Sequence, residues 1–252
     1  MDKLIYSRHH IYMIISINVL LLVIIYFFVI KNRTNKQLKY LHNKLKLNYG
    51  NFNTETDEQL MSVLYIKPEN VVLEIGGNIG RNSCIIASLL NDSSNLLVFE
   101  SDPKNAIKLK KNCNLNNLNF KIEDCAISKT ELVQKGWITK SKDLINNNEL
   151  QYWKKIKTMS WTQIINKYQM KFDTLVADCE GALYYILKDE PNFLKNFKTI
   201  IIENDFECIE HKKFVDNEFK RFGFKVVYTK SNPFAVFQMP CYNNFYEVWI
   251  KW

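Results

Sequence analysis

The first fifty residues and the rest of the chain carry different hydropathy patterns. Ile11 to Ile30 is an unbroken apolar run of twenty residues, with only Ser16 and Asn18 polar and no charge. Twenty helical residues at about 1.5 Å each span roughly 30 Å, the thickness of a bilayer's hydrocarbon layer. The run ends in Tyr26, Phe27, Phe28 and Lys31 and has no small-residue cleavage site, so it predicts an uncleaved transmembrane helix rather than a signal peptide.

From Val71 onward short apolar runs alternate with helix-like segments. Residues 71–75, 96–99, 120–122, 174–177, 199–202 and 224–228 read as strands. Between them, residues 79–90, 103–115, 161–168, 182–187 and 212–222 read as helices, with Pro103 at a first-turn position and Gly223 just past an end. Strand alternating with helix at this spacing predicts an α/β fold with a mostly parallel sheet covered on both faces. The connection from Glu131 to Lys157 reads as a loop that shapes a substrate pocket, with Asn146–Asn148 at its tip. The expected organisation is a short tail (1–10), a membrane helix (11–30), a basic juxtamembrane stem (31–55) and a folded domain (56–252).

Charge sharpens this division. Residues 1–50 hold eight of the 34 Lys and Arg but only one acid, Asp2, so most of the formal +8 sits beside the apolar run. The folded part is nearly neutral, which argues against a nucleic-acid-binding face. Lys31, Arg33, Lys36, Lys39, Lys44 and Lys46 outweigh Lys3 and Arg8 on the other flank. The heavier positive flank tends to stay cytoplasmic, so the domain is expected on the cytosolic side of a single-pass anchor. Leu38, Leu41, Leu45 and Leu47, interleaved with these cations, suit either a helix lying on an anionic membrane or a solvated stem. The six cysteines include no C-x-x-C pair and fall partly in apolar runs, which suits buried thiols in a reducing compartment.

Candidate chemistry gathers where strands end. The first strand runs out through Glu74-Ile75-Gly76-Gly77-Asn78-Ile79-Gly80. Glycines here let backbone approach a ligand, but a dinucleotide fingerprint ending at Gly80 would need glycine at Ile75, which disfavours a nicotinamide-dependent reductase. Glu74 is placed to face a positively charged amino group. Glu100, in Phe99-Glu100-Ser101-Asp102-Pro103, ends the second strand where a carboxylate can accept hydrogen bonds from ribose hydroxyls. Asp124, after the third strand, is a candidate for an adenine amino group. The fourth strand exits through Asp178-Cys179-Glu180-Gly181, and the fifth delivers Glu203, Asn204 and Asp205 to the same edge. Such carboxylates can orient a hydroxyl, act as general base or bind a hard cation. Of the four histidines only His211 lies in the domain, at a helix start that suits a surface residue.

Together these segments resemble the FkbM family of methyltransferases, from about Glu69 to Tyr228 and on to the aromatic segment Phe245–Trp249. The resemblance implies a Rossmann-like sheet of seven strands with a reversed final hairpin. It also implies S-adenosylmethionine as methyl donor and transfer to a hydroxyl of a sugar, glycan or other small molecule. On that basis Glu74, Gly76, Asn78, Gly80, Glu100 and Asp124 are expected to hold the donor. Asp178, Glu180 and Glu203 are expected to serve the acceptor, with a divalent cation as an option. Three positions depart from the family pattern: Glu74 replaces the usual Asp, Arg81 an aromatic residue, and Leu183 a second acid. The alternative expectation is a methyltransferase-fold scaffold without catalytic activity, tethered to a membrane.

Overall fold

The computed structural model describes residues 2–136, 138–232 and 241–252. Helix α1 (Asp2–Lys44) is followed by α2 (Thr56–Tyr65), β1 (Val72–Ile75), α3 (Arg81–Leu89), β2 (Leu96–Phe99), α4 (Pro103–Leu115) and β3 (Lys121–Glu123). Next come β4 (Ala126–Ile127), β5 (Leu132–Lys135), β6 (Ile138–Ser141), β7 (Lys154–Ile156), β8 (Thr158–Met159), α5 (Trp161–Tyr168), β9 (Thr174–Ala177) and α6 (Ala182–Asp189). The chain closes with β10 (Thr199–Glu203), α7 (Ile209–Arg221), β11 (Lys225–Lys230) and β12 (Tyr246–Ile250).

Seven strands form the main sheet in the order β11-β12-β10-β9-β1-β2-β3. β3, β2, β1, β9 and β10 are parallel, whereas β12 runs antiparallel between β10 and β11. The expected seven-stranded, mostly parallel Rossmann-like sheet with its reversed last strand is therefore the observed one. Its central strands are apolar along their length because helices cover both faces. Strand alternation divides them: Leu73, Ile75, Leu97, Phe99, Leu175, Ala177, Ile200 and Ile202 enter one core layer, Val72, Leu96, Val98, Val176 and Ile201 the other.

Local sequence sets the helix starts. The Asp102 side chain accepts from the Lys104 N–H at 2.8 Å and Pro103 opens α4, where its missing N–H costs nothing. Ser160 and Gln163 form a reciprocal capping box on α5.

Two regions differ from the sequence expectation. The connection between β3 and α5 is not an open loop: β5 pairs antiparallel with β6 and β7, and β4 pairs with β8. The stem is neither a solvated stalk nor a helix laid on lipid. α1 runs without interruption to Lys44, and Leu38, Leu41 and Leu45 are buried in the same core layer as Phe52, Met61 and Ile85. Their spacing places all three on one helix face, while Lys31, Arg33, Lys36, Lys39 and Lys44 remain exposed. His42 Nε2 meets Gln59 Oε1 on α2 at 2.6 Å and its ring stacks on Phe52. The Asn112 side chain accepts from the Asn48 N–H at 2.7 Å, fixing the chain beyond the helix. By contrast, the described apolar part of α1 has no buried side chain over its most hydrophobic window, and it is long and apolar enough to cross a membrane.

Burial of the stem leucines makes a prediction. Leu41→Ala should lower the unfolding free energy of the full chain by about 2–5 kcal/mol, the usual cost of emptying a core leucine site. Lys39→Ala on the exposed face should change it by less than about 0.5 kcal/mol. Urea unfolding monitored by tryptophan fluorescence checks both, and equal small effects would show that the stem does not belong to the core.

Candidate functional site

The chain leaves β1 for β2 and β3 on one side, then returns through β9 and β10 on the other. Such a reversal opens a crevice at the carboxyl ends of the strands, where open α/β sheets bind ligands. A cleft lies there. It is lined by Ile75, Gly76 and Asn78 from the β1 exit, Phe99, Glu100 and Ser101 from the β2 exit, and Asp178, Cys179 and Glu180 from the β9 exit. Cys125 to Ser128 contribute another wall, and Leu132, Gln134, Thr139 and Lys140 of the small β5–β6 sheet another.

The β1 turn is held by its neighbours. The Gly76 and Gly77 N–H groups both donate to the Phe99 carbonyl, at 2.9 and 3.0 Å. Gly76 has φ +94°, and a Cβ there would stand 1.5 Å from the Asp178 carbonyl oxygen, so only glycine lets the two strand exits approach. Gly80 lies outside the cleft, packed against Leu109 as the residue before α3. Its glycine is explained by helix packing. Asn78 adopts a left-handed φ of +47° and its N–H donates to Glu100 Oε2 at 2.7 Å. The Asp102 N–H donates to Glu100 Oε1, also at 2.7 Å. Burial pushes the Glu100 carboxyl up to about 7 despite these two donors, which favour its charged form.

Across the cleft, Glu180 is also left-handed, at φ +51°. A non-glycine residue in that region is uncommon and carries strain, and such strain gathers at functional sites. The Gly181 N–H donates to Asp205 Oδ1 at 2.8 Å, tying the β9 exit to the β10 exit. Behind the cleft, Glu58, Asp178 and Glu203 bring carboxylate oxygens within 4.8 Å of one another. Glu58 shares a hydrogen bond with Glu203 and is pushed far above the usual carboxylate range, chiefly by burial and then by the charges of Asp178 and Glu203. Burial likewise raises Asp178 strongly and Glu203 to about 7, with Glu180 and Glu55 adding to the latter. Arg81 Nη1 pairs with Glu55 at 2.5 Å, yet burial outweighs that pairing and Glu55 is raised as well.

The β10 exit is itself braced. Asn204 donates to the Asn244 carbonyl at 2.6 Å and to Glu247 Oε2 at 3.1 Å, and Glu247 pairs with the buried Lys212 at 2.8 Å. A buried pair of this kind is costly to break because one uncompensated charge would remain.

The sequence-derived residues separate accordingly. Gly76, Asn78, Glu100, Asp178 and Glu180 line one cleft, and Glu203 stands behind it beside Asp178. Glu74 does not face the cleft. In β1 the inward position at the strand end belongs to Ile75, and alternation turns Glu74 to the other face, where it is 3% exposed beside α3. Its Oε2 has no hydrogen-bond partner, and burial raises it to about 8. Asp124 is also outside the lining: it pairs with Lys157 at 2.5 Å on the surface, and the next residue, Cys125, takes the inward place. His211 is half-buried, stacked on Tyr184 at 3.7 Å between ring centres, away from the cleft lining.

Sequence reasoning missed Glu58 and Glu55. Their signal was present in Thr56-Asp57-Glu58-Gln59, an acidic helix start, followed by Leu60, Met61, Val63 and Leu64 at helical spacing. Arg81, one of the departures from the family pattern, bonds Glu55 and the Asn51 carbonyl and so secures the approach to α2.

No family model matches the chain, and no curated protein matches it. Solved structures of similar outline exist. The ribosomal protein L11 methylase from Lactobacillus delbrueckii subsp. bulgaricus is 10% identical, covering 78% of this chain and 79% of its own, with a TM-score of 0.45. Cofactor-bound Rv0187 from MTB is 10% identical over 88% of both chains, with a TM-score of 0.48. A Streptococcus mutans protein assigned as a methyltransferase, in complex with SAH, is 12% identical over 79% and 97%, with a TM-score of 0.46. Likeness at this level assigns no activity to this chain.

Buried carboxyls with raised pKa values give the stability of the ligand-free chain a definite pH dependence. The folded state holds protons that the unfolded state releases near pH 4.5, so stability is full below that value and falls as pH rises through 7 and 8. The melting temperature should therefore drop between pH 5 and pH 8, and Glu74→Gln should flatten the part of the drop nearest pH 8. A melting temperature that rises over this interval would contradict the assigned burial.

Proposed function

We propose that the chain is a membrane-anchored methyltransferase that uses S-adenosylmethionine and methylates a hydroxyl on a sugar, glycan or other small molecule. The observation that carries this reading is the cleft at the sheet's switch point, with Glu100 at the tip of β2 facing Asp178 and Glu180 across the β1 turn. The donor has a diol, a ribose, at one end and positive charge at the other. Glu100 has lone pairs beyond the two already used by backbone N–H groups, and these would accept the ribose hydroxyls. The carboxyl-rich side at Asp178 and Glu180 would meet the sulfonium and amino groups, in the place first given to Glu74. The adenine would rest against Cys125 and Ile127, which line the cleft where Asp124 does not.

When bound, the donor supplies a methyl carbon for in-line attack by the acceptor oxygen, and the carbon–sulfur bond breaks as the carbon–oxygen bond forms. The protein's part is to align the hydroxyl and take its proton. Asp178 and Glu180 line the cleft, and Glu203 stands next to Asp178 with its pKa at about 7. A carboxylate tuned to near neutrality is suited to act as base at neutral pH. Alignment supplies much of the acceleration in such a displacement. Gln134, Thr139 and Lys140 on the β5–β6 wall offer the hydrogen-bonding groups that a polyhydroxylated acceptor needs. Arg81 is engaged by Glu55 and the Asn51 carbonyl and is not among the residues lining the cleft, so this departure from the family pattern does not alter the proposed donor site. The apolar part of α1 would hold the domain at the cytosolic face of a membrane, where its charged flank belongs.

Titration of the full chain in nanodiscs with S-adenosylhomocysteine tests the donor site. The wild type should bind it, and Glu100→Ala should weaken binding at least about tenfold, since hydrogen bonds to a charged group contribute about 1.5–3 kcal/mol each. A folded wild type that binds neither this compound nor S-adenosylmethionine would defeat the reading.

A further inference from the structure

We propose that the small sheet of β5, β6 and β7 is a lid on the cleft, hinged at a narrow neck and latched by the ion pair between Lys140 and Glu207. Among the described residues these three strands pair only with one another and join none of the seven strands of the main sheet. Leu132, Val133 and Ile156 are buried, yet they belong to neither of the two core layers that flank that sheet. The unit has internal ties of its own, since Glu131 pairs with both Lys142 and Lys155.

Both ends of the unit pass through one place. β4 and β8 lie side by side there, with the Ala126 N–H donating to the Lys157 carbonyl at 2.9 Å and the Ser128 N–H to the Met159 carbonyl at 3.1 Å. Next to this neck, Lys129 is fixed to the end of α6 by Glu190 at 2.8 Å and by the Asp189 carbonyl at 2.9 Å. A unit carried on two adjacent strands can swing through small backbone changes just beyond them, as hinges at the ends of elements do.

The latch joins two walls of the cleft. Lys140 lines it from β6, and its Nζ lies 3.0 Å from Oε1 of Glu207, in the turn between β10 and α7. Tyr185 also lines the cleft, and burial followed by the charge of Glu207 raises its phenol, which places Glu207 at the rim. Among the described residues this is the one ion pair that residues 131–156 make outside their own unit. The two side chains are 30% and 45% exposed. Pairs this exposed hold weakly, so thermal motion can part and re-form this one without disturbing the core. An open latch would admit a ligand, and a closed one would keep water from it. That last role rests on the methyl-transfer reading; the lid itself does not.

Cys125 and Cys179 line the cleft and report on the lid with no ligand present, so the test stands apart from donor binding. The full chain in nanodiscs is treated with iodoacetamide at fixed pH, and the alkylation rate of each cysteine is read by mass spectrometry. Glu207→Gln should speed alkylation of Cys125 and Cys179 about two- to fivefold, the range expected for loss of a weak ion pair, and Glu207→Lys by more. Adding Lys140→Glu to Glu207→Lys restores a pair with its charges exchanged and should return both rates to those of the wild type. Cys84 and Cys113, buried in the other core layer, should react alike in every variant and so report an intact fold. The lid is overturned if Cys125 and Cys179 react no faster in the single variants, or faster only together with Cys84 and Cys113. It is equally overturned if the exchanged pair leaves them as fast as Glu207→Lys does.

Discussion

A parallel sheet delivers the carboxyl ends of its strands to one edge, and in this chain several of those ends are acidic. Glu100, Asp178, Glu203 and Asp205 emerge there, and Glu58 approaches from α2. Carboxylates brought together out of water must share protons, meet donors or meet cations. Each solution appears in the structure. Glu100 accepts two backbone N–H groups, Glu58 shares a hydrogen bond with Glu203, and Glu55 pairs with Arg81. Buried carboxylate oxygens of Glu74, behind β1, and of Asp205, at the β10 exit, keep no hydrogen-bond partner. An edge crowded with carboxyls whose ionisation burial opposes is prepared for a positively charged ligand, which would favour their charged form, and a cationic methyl donor is of that kind.

The apolar helix and the domain are joined more closely than two independent units would be. A single helix runs from the apolar segment into the core, where Leu38, Leu41 and Leu45 share a layer with residues of α2 and α3. The segment after it reaches Asn112 on α4, then through Asn51 and Glu55 accepts from Arg81 at the start of α3, and α2 carries Glu58 to the acidic edge. The route from the apolar helix to the candidate site is thus continuous in hydrogen bonds and packing.

Much of the sheet could be read from the chain because its strands are short, apolar and bounded by punctuation such as Pro103 and Gly223. Periodicity fixes which side of a strand is buried but not which face looks into a ligand cleft. Glu74 illustrates the difference: its place at a strand end was legible, whereas its turn away from the cleft depends on Ile75 taking the inward position. Asp124 was displaced in the same way by Cys125. The stem leucines were visible as an apolar stripe, but their partner face is built from Phe52, Met61 and Ile85, which no local pattern brings together. Glu58 was hidden for a related reason. An acid in the first turn of a helix is ordinary in sequence, and only the packing of α2 beside β10 buries it among other carboxyls.

The central claim is that the cleft between the β1, β2 and β9 exits receives a nucleoside with a cationic side arm. A crystal structure of the chain grown with S-adenosylhomocysteine addresses it most directly. The ribose hydroxyls should lie within hydrogen-bond distance of Glu100, with the sulfur directed toward Asp178 and Glu180. A ligand bound elsewhere, or one whose ribose makes no contact with Glu100, would contradict the account.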